Sequence, residues 1–373
     1  MHIGQRALLA VVRQQFWPLQ AKNLIRNVAH KCTPCYRSNP KRATQLMGDL
    51  PEYRVQAAYP FSNVRIDFAG PFLLKSAVSV RKCVMTKGYV CVFVCMATQA
   101  MHLEAVSNLS TDFLATLQRF VSRHSARSIQ EIIFGQRHQS GANNELAKLA
   151  DLFETEMHKK KLKVFCVERN IEWSFIPPRS PHFGGIWEAG VKSAKFHLRP
   201  ILADHKLSYE ELTTVLAQIE ATLNSRPLVP SSDDPNDLTA ITPAHFLIGR
   251  EFQAISEPSY EAIKHGRLSR WQVLQDLKQK YWRTWSNDYL QELQRRQSDF
   301  TTTSIKVGAL VLIVDDHLPP LQWNLARIIE LHPGKDGHVR VVTLKTKDTI
   351  IRRAVKYLCL LPLDEEERTT FKI

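Results

Sequence analysis

Two carboxylates stand at points where the chain changes character. Asp67 ends an apolar run, Val64-Arg-Ile-Asp-Phe-Ala-Gly70, that then meets Pro71. An acid inside a strand of this kind costs free energy unless it is paired or holds a cation. Glu188 closes Pro181-His-Phe-Gly-Gly-Ile-Trp-Glu188, whose glycines lead into a helical pattern. Along that pattern Glu188, Lys192, Lys195 and Arg199 recur at i, i+4, i+7 and i+11 and so share one face, with Trp187, Val191, Ala194 and Leu198 as the adjoining apolar stripe. One carboxylate followed by three cations suits a metal ion beside a phosphate backbone. The same spacing also describes a solvated helix face laced with i,i+4 ion pairs, and both readings stay open. A third group is Cys32-Thr-Pro-Cys35 with His2 upstream. Two thiolates at this spacing can clamp a Zn²⁺ that a histidine on a preceding helix helps to close. His30 is badly placed for the same ion, a fourth ligand is missing, and a redox pair or a chance pairing remains an alternative.

The elements that must position these groups follow from periodicity. Residues 1–48 are helical and basic and contain the Cys-x-x-Cys pair. Residues 55–250 alternate strand and helix, with strands expected at Asn63–Phe68, Tyr89–Ala97, Ser128–Phe134 and Ile171–Ile176. The chain is expected to turn at Gly70-Pro71. A helix is expected from Gly185 to Leu198. A second starts at Ser208, whose hydroxyl caps it while Glu211 completes a capping box, and it buries Leu212, Val215, Leu216, Ile219 and Leu223. Pro227–Asp237 has the composition of a loop, and Glu257–Gly266 that of a linker. Residues 267–297 form a long helix with an aromatic stripe, Trp271, Tyr281, Trp282, Trp285 and Tyr289, best read as core packing. Beyond it come short β-rich runs, Ala309–Val314, Leu325–Leu331, Val339–Leu344 and Thr349–Val355, with a turn at Gly334-Lys-Asp-Gly337, which suggest a small barrel.

Composition narrows the partners. The chain has 373 residues, enough for two or three domains, and 44% hydrophobic residues build real cores. Fifty Lys and Arg against 36 Asp and Glu leave a formal charge of +14, which favours a polyanion as partner. Seven cysteines, only two closely spaced, argue against a secreted disulfide scaffold and for a reducing compartment. No apolar run reaches the ~18 residues of a membrane span, so no membrane partner is expected.

Many separate segments carry a family resemblance. The stretch from Asp67 through Glu188 to Asn224-Ser-Arg-Pro227 resembles the integrase core of Pao/BEL-type LTR retrotransposons. Phe93-Val-Cys-Met-Ala-Thr98, His102-Leu-Glu104, Gly141-Ala-Asn-Asn-Glu145 and Thr242-Pro-Ala-His-Phe-Leu-Ile-Gly249 do so too. Residues 1–48 look like the end of that family's His-His-Cys-Cys zinc module, with Arg13–Trp17 as its Arg-x-x-Phe-Trp signature, and 267–363 looks like its C-terminal helix and SH3-like β-barrel. The resemblance implies an α/β fold with an RNase H-like core, in which three acids hold two Mg²⁺ or Mn²⁺ ions for phosphodiester strand transfer. It implies Asp67 as the first acid and Glu188 as the third, both metal ligands. Lys192, Lys195 and Arg199 are its DNA contacts, supplemented by Arg327, Lys335, Arg340, Lys345, Arg352 and Arg353. DNA is then the partner, a homo-oligomer is allowed, and the nucleus is the place of work.

The chain departs from that family at two places. The second acid belongs in a Ser-Asp-Asn/Cys-Gly-Thr-Asn-Phe segment just before Gly141-Ala142. Here the stretch reads Ile133-Phe-Gly-Gln-Arg-His-Gln-Ser140, and counting back without gaps puts the acid at Phe134. Neither Glu131 nor Glu145 is placed to substitute. The first zinc histidine is absent as well, so His2, Cys32 and Cys35 form an incomplete set. The expectation is a DNA-binding protein of the integrase family with degenerate chemistry; the alternative is a co-opted, non-catalytic DNA- or chromatin-binding protein.

Overall fold

The computed structural model describes residues 4–38, 52–75, 84–107, 112–124, 128–134, 156–175, 185–203, 205–232, 234–254, 257–260, 263, 265–297, 305–315 and 318–361. The chain divides into two compact units, Met1–Asp49 and Leu50–Ile373. The first unit holds helices α1 (Gly4–Gln15), α2 (Ala21–Lys31) and α3 (Thr33–Ser38). Its interior is slight: on α1 and α2 only Ala21 and Ile25 are buried, while Phe16, Trp17 and Leu19 are exposed. The Arg13 guanidinium lies 4.7 Å from the centre of the Trp17 ring.

The second unit opens with α4 (Glu52–Val55) and then builds a five-stranded sheet. Its strands are β1 (Asn63–Lys75), β2 (Met85–Cys95), β3 (Met101–Val106), β4 (Glu131–Phe134) and β5 (Glu172–Phe175), in the spatial order β3-β2-β1-β4-β5. β1, β2 and β3 pair antiparallel, whereas β4 runs parallel to β1 and β5 parallel to β4. The fold of this part is therefore mixed α/β. One face of the sheet packs against α5 (Asp112–His124) and α6 (Glu156–Val167) through Phe113, Leu117, Phe120, Leu162 and Cys166. The other packs against α7 (Gly185–Ala203) and α8 (Tyr209–Asn224) through Val191, Ala194, Leu198, Leu212, Leu216 and Ile219. β1 lies between β2 and β4 with both faces covered, which is why its sequence is almost continuously apolar.

Three expectations about this region need amending. The chain does not turn at Gly70-Pro71; β1 bulges between Ala69 and Phe72 and continues to Lys75 beside β2. A bulge absorbs the missing proline N–H without ending the ladder. β3 has no counterpart among the expected strands, although His102 and Glu104 alternate with its apolar residues as strand residues do, and all six of its residues are buried. Pro227–Asp237 is not all loop: β6 (Val229–Pro230) pairs with β7 (Ala240–Ile241). The capping box at α8 is as expected, with Glu211 N–H donating to Ser208 Oγ at 3.2 Å and Ser208 N–H to Glu211 Oε2 at 2.8 Å. A short helix α9 (Pro243–Ile248) follows.

Helix α10 (Arg270–Gln297) carries the aromatic stripe. Leu274, Leu277, Tyr281 and Trp285 enter the same core as α7 and α8, while Trp271 is exposed. Trp323 places its ring 4.9 Å from Trp282, 5.6 Å from Tyr289 and 6.3 Å from Trp285. Its indole N–H donates to Ser225 Oγ, and the Tyr289 hydroxyl donates to Pro227 carbonyl at 2.6 Å. The stripe thus ties the end of α8 to the chain beyond α10. That chain forms a second, antiparallel sheet from β8 (Leu310–Ile313), β9 (Leu325–Pro333), β10 (Val339–Lys345), β11 (Ile350–Ala354) and β12 (Leu358–Leu360), in the order β11-β10-β9-β8-β12. Val311, Ile313, Ala326, Ile328, Val342 and Leu344 fill its core. The Gly334–Gly337 turn joins β9 to β10, with Gly337 at a φ of 77° that favours glycine.

Candidate functional site

Asp67 lies on β1 opposite Val92 of β2. Strand alternation sends Ile66 and Phe68 to the α5–α6 side and Asp67, like Ala69, to the α7–α8 side. There its carboxylate meets Lys195 of α7, Nζ to Oδ2 2.5 Å, with the two side chains only 14% and 15% exposed. The other carboxylate oxygen accepts the Phe68 N–H at 2.8 Å. Arg65, two residues back on the same strand face, is buried and reaches Tyr53 Oη at 3.5 Å. Asp67 therefore has Lys195 as its partner and Arg65 two residues away on the same strand face.

Helix α7 packs along β1, held by Val191, Ala194 and Leu198. The sequence placed Glu188, Lys192, Lys195 and Arg199 on one face. Lys192 and Arg199 are exposed, while Lys195 turns inward to Asp67. Position 188 belongs to α7, two turns before Lys195, and its side chain lies outside the described residues.

Phe134 ends β4, paired with Ile66 of β1 and Phe175 of β5. Parallel partners point the same way, so Phe134 joins Ile66 in the α5–α6 core. Its ring centre is 6.1 Å from that of Phe68 and 6.2 Å from that of Trp173. It faces away from Asp67. The segment that follows, from 135 to 155, lies outside the described residues, and with it Glu145.

The resemblance implies Mg²⁺ or Mn²⁺ here, and of the ligands it implies Asp67 is the one whose side chain is described. Asp67 is the described carboxylate at this place, Lys195 already balances it, and Arg65 adds a second positive charge nearby. Among the described residues no group of three His, Cys, Asp or Glu could hold an ion. For zinc, His2 and the Cys35 side chain lie outside the described residues, and Cys32 is half-buried at the end of α2.

The cations of the second sheet separate into two kinds. Arg327 is buried and gives its N–H groups to backbone carbonyls of Asp237, Gly308 and Ser232 at 2.7–2.8 Å. It ties β9 to the backbone at Ser232 and Asp237, so its N–H groups are engaged within the fold. Arg340 is paired with Asp336 at 2.6 Å and Lys345 donates to Asn236 at 2.7 Å. Lys335, Arg352 and Arg353 are exposed.

Sequence reasoning missed a buried ionic cluster at β3. Glu104 accepts from Arg119 at 2.9 Å, is ion-paired with Arg123, and lies 3.4 Å from His102 Nε2. His102 Nδ1 also meets Glu220 of α8 at 3.0 Å. Despite its burial, Glu104 is held down at about 2 by the hydrogen bonds of His102 and Arg119 and by the charges of Arg119 and Arg123. His124, packed on Phe61 and Phe120, is pushed down to about 4, first by burial and then by the charges of His102 and Arg123. The same helix α8 closes the outer edge of β3. Asn224 accepts from Met101 N–H at 2.8 Å and donates to Met101 carbonyl at 2.7 Å, as a neighbouring strand would. Glu220 accepts Leu103 N–H and the Tyr209 hydroxyl donates to Ala105 carbonyl. Arg226 binds the carbonyls of Leu223 and Gln99. The Asn224-Ser-Arg-Pro227 motif is thus a structural clamp on an edge strand.

Residues 269–361, which span α10 and the second sheet, match a family described as of unknown function (DUF5641). No curated protein matches the chain. Among solved structures, the chain is similar to a chain of the simian T-cell lymphotropic virus intasome in complex with PP2A regulatory subunit B56 gamma, at 12% identity and a TM-score of 0.37, over 98% of this chain and 97% of that one.

Proposed function

We propose that this chain is an integrase-like, DNA-binding protein of Pao/BEL retrotransposon type whose strand-transfer chemistry is absent from the chain as it stands. On this reading residues 1–48 are a remnant of a zinc module, 55–250 an RNase H-like core, and 267–363 a C-terminal helix and β-barrel domain. The observation that carries it is the sheet order β3-β2-β1-β4-β5 with Asp67 on the central strand and α7, bearing Glu188, packed along that strand. That is the arrangement an RNase H-like core requires of its first and third acids. The charge of +14 supports DNA as the partner, and with it work in the nucleus, alone or as a homo-oligomer.

The Asp67–Lys195 pair favours the second reading within the same frame, a co-opted non-catalytic DNA- or chromatin-binding protein. An ammonium at the first acid removes the negative charge that would attract a divalent ion. Incubation with a 3′-recessed duplex and Mg²⁺ or Mn²⁺ tests both halves. The expected result is binding without joining. Robust joining by the unaltered chain would overturn the loss of chemistry, and absence of binding would overturn the DNA half.

A further inference from the structure

The stretch after β4 carries a second reading in its codons. Phe134-Gly-Gln-Arg-His-Gln-Ser140 can be encoded as TTY GGN CAR CGN CAY CAR TCN when Arg and Ser take their four-fold codon families. Displaced by one base, the same string is TYG GNC ARC GNC AYC ART. With suitable third bases these triplets are TCG, GAC, AAC, GGC, ACC and AAT, which spell Ser-Asp-Asn-Gly-Thr-Asn. In every triplet the bases fixed by the chain are ones that this peptide accepts, and each base still needed is one that the chain leaves free. We infer that Phe134–Ser140 is the displaced-frame reading of a coding stretch for Ser-Asp-Asn-Gly-Thr-Asn, and that the undisplaced product carries a carboxylate one residue after Phe134.

The strand register supports the same position independently. β1 and β4 pair in parallel as far as Ile66 and Phe134, and both of these side chains enter the α5–α6 core. A carboxylate at 134 would be buried against Phe68 and Trp173, far from any cation's advantage. The next residue of β1 is Asp67, on the opposite face. A strand prolonged by one residue puts its next side chain on that face too, level with Asp67. The displaced frame sets its Asp codon across the second and third bases of codon 135 and the first of codon 136. Ungapped alignment gives 134, whereas codons and register both give the residue beyond it.

This inference rests on the integrase-like reading of the core, yet its test fails separately. The coding DNA and transcript across codons 131–142 are read directly. The expected third bases of codons 134 to 139 are C, A, A, G, C and A, with Arg137 encoded by CGG and Ser140 by a TC codon. T at the third base of codon 134 would give Leu, T at that of codon 138 would give Ile, and G at that of codon 136 or 139 would give Ser. Any of these, or any base other than A at codon 135 or G at codon 137, overturns the inference while leaving DNA binding untouched.

Discussion

At Asp67 a single ion pair decides between two chemistries. With Lys195 at 2.5 Å and both side chains nearly buried, the carboxylate is satisfied without a metal. Removing one partner of such a pair strands the other, so Lys195→Met should cost roughly 1–3 kcal/mol in urea unfolding. Asp67→Asn in the same background should recover part of that loss, and coupling near zero in the double-mutant cycle would deny the pair. His124 offers a second residue-scale test. Its folded value of about 4 lies below the ordinary 6.5, so the unfolded chain takes up a proton first as pH falls. Stability from this group is complete above 6.5 and is lost on acidification toward 4. His102 has the opposite sign: its value is raised by Glu104 and Glu220 against the opposing effect of burial, so its contribution is present at low pH and is lost as pH rises through the folded value. His124→Phe keeps a ring beside Phe61 and Phe120 and should flatten the decline between pH 6.5 and 4. An unchanged pH profile would mean that the histidine is not what titrates there.

At the scale of elements, the edge of β3 is held by side chains in place of a strand. Asn224→Ala leaves both the N–H and the carbonyl of Met101 without their partner, at a cost of roughly 2–4 kcal/mol, and should leave DNA affinity unchanged once folded. A variant as stable as the parent by thermal melting would show that water substitutes freely. Much of this layer was legible in the sequence. Ser208 and Glu211 announced α8, its five apolar positions named the buried face, and the aromatic stripe of α10 became core except at the exposed Trp271. β3 was illegible because its polar residues are neutralised from elsewhere: Arg119 and Arg123 arrive from α5 and Glu220 from α8, more than a dozen residues away in each case. The role of Lys195 was hidden for a similar reason. Helical spacing puts it with Lys192 and Arg199, and only the neighbouring strand reveals that it points to Asp67. Arg327 read as a surface cation until the fold brought three backbone carbonyls around it.

Across the whole molecule the positive excess is the property most directly tied to a partner. A phosphate backbone rewards summed charge, whereas catalysis demands donors fixed to a fraction of an ångström, so binding can persist where chemistry does not. The described cations divide accordingly. Lys192 and Arg199 on α7 and Arg352 and Arg353 on β11 are exposed, while Lys195 and Arg327 are engaged within the fold. Arg327→Ala should therefore lower stability with no change in the salt dependence of DNA binding, and a flatter salt dependence in that variant would return Arg327 to the interface. The exposed side of α7 should then form part of a phosphate-reading surface. Fluorescence anisotropy with a duplex of arbitrary sequence, titrated over a salt series, probes that surface without any demand on chemistry. The parent should show affinity falling steeply with salt. A Lys192→Ala, Arg199→Ala double variant should flatten the slope of log K against log [salt] by roughly 0.9 for each phosphate that is no longer neutralised. If the double variant kept the parent's slope, this helix face would be ordinary solvated surface and DNA would not be read there.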